Sequence, residues 1–562
     1  MDRRVIWAIA LMMVIAIAPS FFFKPPKPKL ALPPVGADTS GLVPQPAASP
    51  ESLRAGPAAP GAQAAPPAAP SAPAETLLVT SPLYQYAVST RGGAIVQATL
   101  SHYEALDPAD KGKPVRLVPD SSALQTFSIL VGTDTLRLGD WNFTPSAHAL
   151  TVNAPSTLTL TSSRGGVTVT LRYTFRPDDY QIDVHGEAAG LGPVGGHLLV
   201  GMGDGLRQTE SDSAANYYAY AVVTKTDQSH SMPFSKLKPD EPPTTLDGPF
   251  DWAAVKSKYF VAAVLATDSG SVPVSGVTAH ARPGKPRVTR ADVTFGMSIP
   301  VAGSFAYRLY VGPMEYPRLR AIGHDFYDIN PYGWPGFRTL IRPIAVGARW
   351  LLVWMHQHFA MAYGMVLIVF GIAIRIVLWP LNQKGMRAGI KMQAIQPEMQ
   401  DIQARYKEDP QRLQQEMIGL YKREGVNPFS GCWPMLLPYP VLLALFFVLS
   451  NTIELRGQSF LWLQDLSLKD PFYIIPVLMG VSMFAVSRVG MIGVPPNPQS
   501  RMMLYFLPVM MTVLFANFAS GLNLYYFVQN VVSIPQQWYL AKERAKARAA
   551  MAPPPAPVKK KK

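Results

Sequence analysis

The run Gly371-Ile372-Ala373-Ile374-Arg375-Ile376-Val377-Leu378-Trp379 sets a guanidinium inside a stretch apolar enough to cross a membrane. An arginine stays charged at any accessible pH, so it needs water, a counter-charge or a polar cavity. At mid-bilayer its cost is roughly 2.5–3.5 kcal/mol on insertion scales. Two solutions are open from the residues alone. Arg375 lies about six residues, roughly 9 Å of helical rise, from the polar end of its run, so its side chain can snorkel to the headgroups. Alternatively, the fold builds a wet pocket around it.

The surrounding composition narrows the setting. Of 562 residues 48% are hydrophobic, enough for several domains, but they collect at the start and after position 350. Formal net charge is +14, and the C-terminal end is strongly basic. A single cysteine, Cys432, excludes an internal disulfide framework and a multi-cysteine metal site.

Five regions follow in order. Residues 5–23 are apolar behind Arg3 and Arg4; Ala16-Ile17-Ala18 resembles a leader cleavage site, but Pro19 and Phe21–Phe23 favour an uncleaved transmembrane anchor over 1–23. Residues 24–75 are a Pro/Ala-rich linker, extended and coreless. Over 76–322 the hydrophobic period becomes two, which predicts an antiparallel β-sandwich domain. Its clearest hairpin is 157–161 and 167–175 around Arg164-Gly165-Gly166, with further strands at 94–100, 180–184, 259–265 and 305–311. An amphipathic helix lying in the membrane interface is expected over 337–352, with Pro343 a kink. Residues 355–541 then hold five spans, at about 355–381, 433–452, 472–488, 502–518 and 521–541. Pro434, Pro438 and Pro440 are expected to bend the second of these.

With the anchor the spans total six, which places both termini on one side. The tail 542–562 carries Lys542, Arg544, Lys546, Arg548 and Lys559, Lys560, Lys561 and Lys562, so that side is cytoplasmic and the β-domain is outside. The tail suits anionic phospholipid or, as a flexible polycation, ribosomal RNA. Between the first two core spans, 383–428 reads as a cytoplasmic αα-hairpin. Ile395, Met399, Ile402 and Tyr406 mark one stripe, and Leu413, Met417 and Leu420 the other, with Asp409-Pro410 as the cap between them. Its bland reading is a solvated hairpin.

The last span is polar along one line: Asn523, Tyr526, Asn530, Ser533 and Gln537, joined by Asn517 just before it. Such residues either glue helices together or line a hydrated groove with Arg375. No Asp or Glu falls within the predicted spans, which speaks against a proton-coupled carrier. No phosphate loop, zinc helix or serine elbow occurs, and Gly201-Met202-Gly203-Asp204-Gly205 lies in β-patterned chain. His356 and His358 read as interfacial residues.

Several segments together carry a resemblance: Arg375-Ile376-Val377-Leu378-Trp379-Pro380-Leu381, Glu424-Gly425-Val426-Asn427-Pro428 with Gly431-Cys432-Trp433-Pro434, and Ser520-Gly521-Leu522-Asn523-Leu524-Tyr525-Tyr526. In this order, behind a large β-domain, they resemble the YidC-type membrane protein insertases in their Gram-negative form. Thr90-Arg91-Gly92-Gly93 and Tyr310-Val311-Gly312-Pro313 match more loosely. The resemblance implies a five-helix core around a hydrophilic groove, with Arg375 its arginine and Tyr526 a substrate-contacting tyrosine. Ala519 and Asn523 depart from the family's usual proline and apolar residue. It implies no enzyme activity, cofactor or metal. The partners implied are nascent membrane proteins, the ribosome, the Sec translocon with its accessory subunits, and anionic phospholipids, but not DNA. A solute transporter, or an envelope glycan-binding protein acting through its β-domain, are the rival expectations.

Overall fold

The computed structural model describes residues 74–551 except 194, 268–273, 285–287, 331, 334–336, 426–437 and 493–497. The expected anchor 1–23, nearly all of the linker and Lys559–Lys562 lie outside the described residues, as do Val426, Asn427, Pro428 and Gly431 to Pro434.

The expected hairpin pairs Ser156–Arg164 with Val167–Phe175. Gly165 and Gly166, at φ 59° and 81°, hold the two left-handed positions that a two-residue turn requires. Arg164 therefore pairs with Val167 and belongs to the strand, not to the turn. Strand Gln181–Ala189 buries Ile182, Val184, Gly186 and Ala188 on alternate positions, as its sequence dictates. By contrast Trp252–Lys256 and Phe260–Leu265 are buried at every position. They sit inside a nine-stranded sheet covered on both faces, which erases the period of two.

The strands form sheets of nine, six and five rather than the two layers of a simple sandwich. Strand Thr76–Thr80 explains the third sheet: Leu77 and Val79 form an apolar face that must be covered, and they join the common core. That core draws Tyr84 and Tyr86 from the five-stranded sheet, Phe127 and Phe295 from the six-stranded one, and Tyr173, Trp252 and Tyr307 from the nine-stranded one. The pairing is antiparallel, with Thr76–Thr80 against Ala149–Thr151 the parallel exception. Two short helices, α1 (Ser213–Ala219) and α2 (Tyr316–Ile322), decorate the domain.

From Arg338 the chain is helical. Helix α3 (Arg338–Phe359) runs through Pro343 and ends where Ala360 turns left-handed at φ 50°. The next helix, α4 (Tyr363–Ala394), thus begins at Tyr363 rather than Met355, and it continues past Pro380 into the polar segment. Helices α5 (Gln396–Arg405) and α6 (Pro410–Arg423) follow; Asp409 Oδ1 accepts from the amides of Gln411 (3.2 Å) and Arg412 (3.1 Å) and so starts α6. Ile395 and Leu420 are buried against each other's neighbours Met399, Ile402 and Tyr421, a small core private to this pair. Tyr406, Leu413 and Met417 are half-buried.

Helix α7 spans Pro438–Asn451. Pro438 and Pro440 lie in the first described turn of this helix, and Pro434 lies outside the described residues. Then come α8 (Ile474–Gly490), α9 (Pro498–Phe515) and α10 (Ser520–Met551). The last runs unbroken through Lys542, Arg544, Lys546 and Arg548, which therefore ride on a helix. Among the described residues, Tyr363–Pro380 is long and apolar enough to cross a membrane, while Pro440–Asn451, Ile474–Gly490 and Leu504–Phe515 are apolar but shorter.

Candidate functional site

Helices α4 and α10 lie side by side and run parallel. Gln529 Nε2 donates to the Gly371 carbonyl at 2.6 Å, and Gln536 Nε2 donates to the Trp379 carbonyl at 3.3 Å. Rising numbers on one helix meet rising numbers on the other, which fixes the direction. Gly371, Arg375 and Trp379 are spaced by four and share a face; Gln529 and Gln536 are spaced by seven and share one too. Glycine at 371 eases the close approach, since a Cβ there would lie 3.2 Å from Val528 Cγ1 and the valine would have to give by a few tenths of an ångström.

Arg375 projects from the middle of this seam. Its Nη2 donates to Gln536 Oε1 at 3.0 Å, and its Nε is buried without a hydrogen-bond partner among the described residues. Gln536 is 1% exposed, so its amide is committed: nitrogen to Trp379, oxygen to the arginine. Just outside the seam, Ile376 and Val377 are 63% and 70% exposed, an apolar surface with no protein against it.

The polar line expected on the last helix falls on a different face, about 90° away around α10 at 100° per residue. Asn530 Nδ2 donates to Ser482 Oγ at 3.1 Å and to the Met479 carbonyl at 3.3 Å, both on α8. Ser533 Oγ donates to the Asn530 carbonyl at 2.7 Å. Gln537 lies beside Gly490, whose Cβ would come 3.3 Å from its Oε1. Asn523 is fully buried and donates to the Phe515 carbonyl at 3.0 Å, closing the α9–α10 turn. The Tyr526 ring packs on Phe515, with centroids 5.3 Å apart. Asn517 stands exposed in the turn after α9, away from the line. So Asn530, Ser533 and Gln537 come together against α8, Asn523 and Tyr526 serve the α9 end, and Arg375 meets Gln536 instead, with Gln529 on the Gly371 carbonyl of the same seam. The signal for those two was present in the sequence as their seven-residue spacing.

At the end of the bundle nearer the β-domain, the segment between α7 and α8 folds over the helix starts. The Phe460 ring lies against Gly364, where a Cβ would sit 2.1 Å from ring carbon. The amides of Ser520 and Gly521 donate to the carbonyls of Leu468 (2.6 Å) and Leu466 (2.9 Å), tying α10 down. Asp470 Oδ2 accepts from the Ile475 amide at 2.7 Å and Oδ1 from Trp462 Nε1 at 3.2 Å, capping α8. Arg456 on the same segment reaches the β-domain: its Nε donates to Glu210 Oε2 at 2.9 Å and its Nη1 to the Glu104 carbonyl at 2.8 Å. Arg349 of α3 pairs with Glu454 beside it.

Two known families match this arrangement piece by piece. Residues 76–346 match the family described as YidC periplasmic domain, and residues 354–548 the family described as 60Kd inner membrane protein. The membrane protein insertase YidC of Cupriavidus necator is 31% identical over 492 residues, 85% of this chain and 84% of that one. That of Geobacter metallireducens is 31% identical over 573 residues, 98% of this chain and all of that one. The chain belongs to the YidC family of membrane protein insertases. A solved structure titled as an active YidC insertase with the first transmembrane domain resolved is similar at TM-score 0.33 and 17% identity, over 82% of this chain and 92% of that chain.

As a YidC insertase the chain is an inner-membrane protein with a periplasmic β-domain, not an enzyme, and neither transporter nor glycan-binding protein is favoured. Within that family frame, the covered end of the bundle is the one beside the periplasmic domain. The seam holding Arg375 lies further along α4 and α10, towards the helix pair α5–α6.

Proposed function

We propose that the chain inserts newly made hydrophobic segments through a hydrated groove in its five-helix core, with Arg375 as the groove's fixed charge. One observation carries this: a guanidinium in an apolar helix is met by a neutral amide and keeps its Nε unpartnered. A structural arginine at such a depth would be expected to find a carboxylate. This one keeps its charge available.

The topology is six spans with 1–23 as the anchor, 24–75 as the linker, 76–322 periplasmic, 337–352 in the interface, and both termini cytoplasmic. Parallel α4 and α10 both start at the covered, periplasmic end, so both deliver their C-terminal extensions to the cytoplasm. On this reading the hairpin 383–428 and the basic residues of 542–562 share the cytoplasmic side. The hairpin, through Ile395, Met399, Ile402, Tyr406, Leu413, Met417 and Leu420, receives the nascent chain. The tail holds the ribosome or anionic lipid at about 1 kcal/mol per basic residue. The Sec translocon and its accessory subunits dock alongside when substrates need them.

The length of α8 favours a thinned bilayer. At 1.5 Å per residue it rises roughly 26 Å, against a hydrocarbon core of roughly 30 Å. A short core shortens the passage of a substrate's polar segment. The substrate itself supplies the driving force, about −0.3 to −0.6 kcal/mol for each well-placed Leu, Ile, Phe or Val. No nucleotide is needed. Asn530, Ser533 and Gln537 fix α10 against α8 and Asn523 closes the α9–α10 turn, so the groove's charge rests on Arg375, with Tyr526 contacting substrate. Photocrosslinking from α10 to a nascent membrane protein tests this. Crosslinks from both the Tyr526 and the Gln529 faces are expected, and their absence from both would refute the groove.

A further inference from the structure

We infer that Gln536 is a specificity-determining positioning residue: it holds Arg375 by an uncharged acceptor and so keeps the arginine selective for acidic polar segments of the substrate. The inference rests on the groove reading above and adds to it the residue that tunes the charge.

The geometry is specific. Gln536 is almost fully buried, and its amide nitrogen is spent on the Trp379 carbonyl one turn beyond Arg375 on α4. Only the oxygen is left to face Nη2. Gln529 repeats the backbone contact one turn before the arginine, at Gly371, so the seam is pinned on both sides of position 375. The guanidinium is thereby aimed but not neutralised. A carboxylate in the same place would give up the bond to the Trp379 carbonyl, which needs a donor, but would pair with the guanidinium and cancel its charge, and a charge-assisted pair is roughly twice as strong as a neutral bond. An acidic substrate segment would then have to displace an internal rival. An aliphatic side chain would leave Nη2 without its acceptor and let the arginine swing.

The test uses the full chain in proteoliposomes with two single-span substrates, identical except that the translocated tail is acidic in one and neutral in the other. The readout is the ratio of acidic-tail to neutral-tail insertion, which does not depend on how much folded insertase each preparation holds. Gln536→Glu is expected to lower that ratio about tenfold, equivalent to about 1.4 kcal/mol, and Gln536→Leu to lower it about threefold. A ratio unchanged in both variants would overturn the inference and leave Gln536 as a helix-packing residue. Arg375→Ala in the same assay separates the two claims. If it loses insertion while Gln536→Glu behaves as wild type, only the role of Gln536 falls; if it inserts acidic tails normally, the groove reading falls with it.

Discussion

Two arginines of this chain meet opposite surroundings. Arg456 is 5% exposed and paired with Glu210, itself 5% exposed; further bonds go to the carbonyls of Glu104 and Thr209, and Phe260 lies under its guanidinium. Every feature there lowers its energy in one place, between the periplasmic domain and the segment covering the helix starts. Arg375 has one neutral acceptor and an unpartnered Nε. Burial alone therefore does not mark a working charge. What separates the two is whether the protein has already neutralised it: Arg456 is used up by the fold, whereas Arg375 is left for a transient partner.

The sharpest way to break this contrast is at Arg375. Arg375→Ala is expected to abolish insertion and Arg375→Lys largely to retain it, because positive charge rather than fork geometry is required; equal loss in both, in a reconstituted insertion assay, would oppose the charge account. At the other arginine the expected loss is in stability. Glu210→Ala strands a buried guanidinium and should cost about 3–5 kcal/mol, read as a lower thermal midpoint, while insertion by the folded protein stays near wild type. Removing residues 76–322 altogether should likewise spare insertion, since Arg456 then faces water.

Two smaller changes probe the helix seams away from both charges. A Cβ at Gly480 would lie 1.9 Å from Thr512 Oγ1 between α8 and α9. Gly480→Ala should therefore cost about 1–3 kcal/mol by overpacking, measured as detergent-solubilised stability. Asn530→Leu removes the bonds to Ser482 and Met479 and is expected to cost about 0.6 kcal/mol. Had Asn530 been the arginine's partner, it would instead disturb substrate selectivity.

The sequence showed the β-domain well where one face of a strand meets the core, as in Val167–Phe175 and Gln181–Ala189. It was silent at Trp252–Lys256, where both faces are buried and alternation disappears, although the equally buried Phe260–Leu265 was still legible as a strand. The third sheet was not legible, since pairing across long sequence separations leaves no local mark. In the helical part, apolar runs located the helices but not their ends: Ala360 terminates α3 by backbone geometry at a residue that otherwise favours helix. The polar line Asn523, Tyr526, Asn530, Ser533 and Gln537 was correctly read as one face of α10. Which neighbour that face meets is a tertiary fact, and it meets α8. Periodicity gives a face but not its partner, so it does not reveal Gln536 beside Arg375 or Gln529 on Gly371.

The account depends on water reaching the level of Arg375. With Cys432 replaced by serine, Arg375→Cys can be probed by a membrane-impermeant maleimide applied from the cytoplasmic side. Labelling close to that of an aqueous control site is the predicted result. A thiol at 375 that stays unreacted, while one on the hairpin at Tyr406 labels fully, would contradict it.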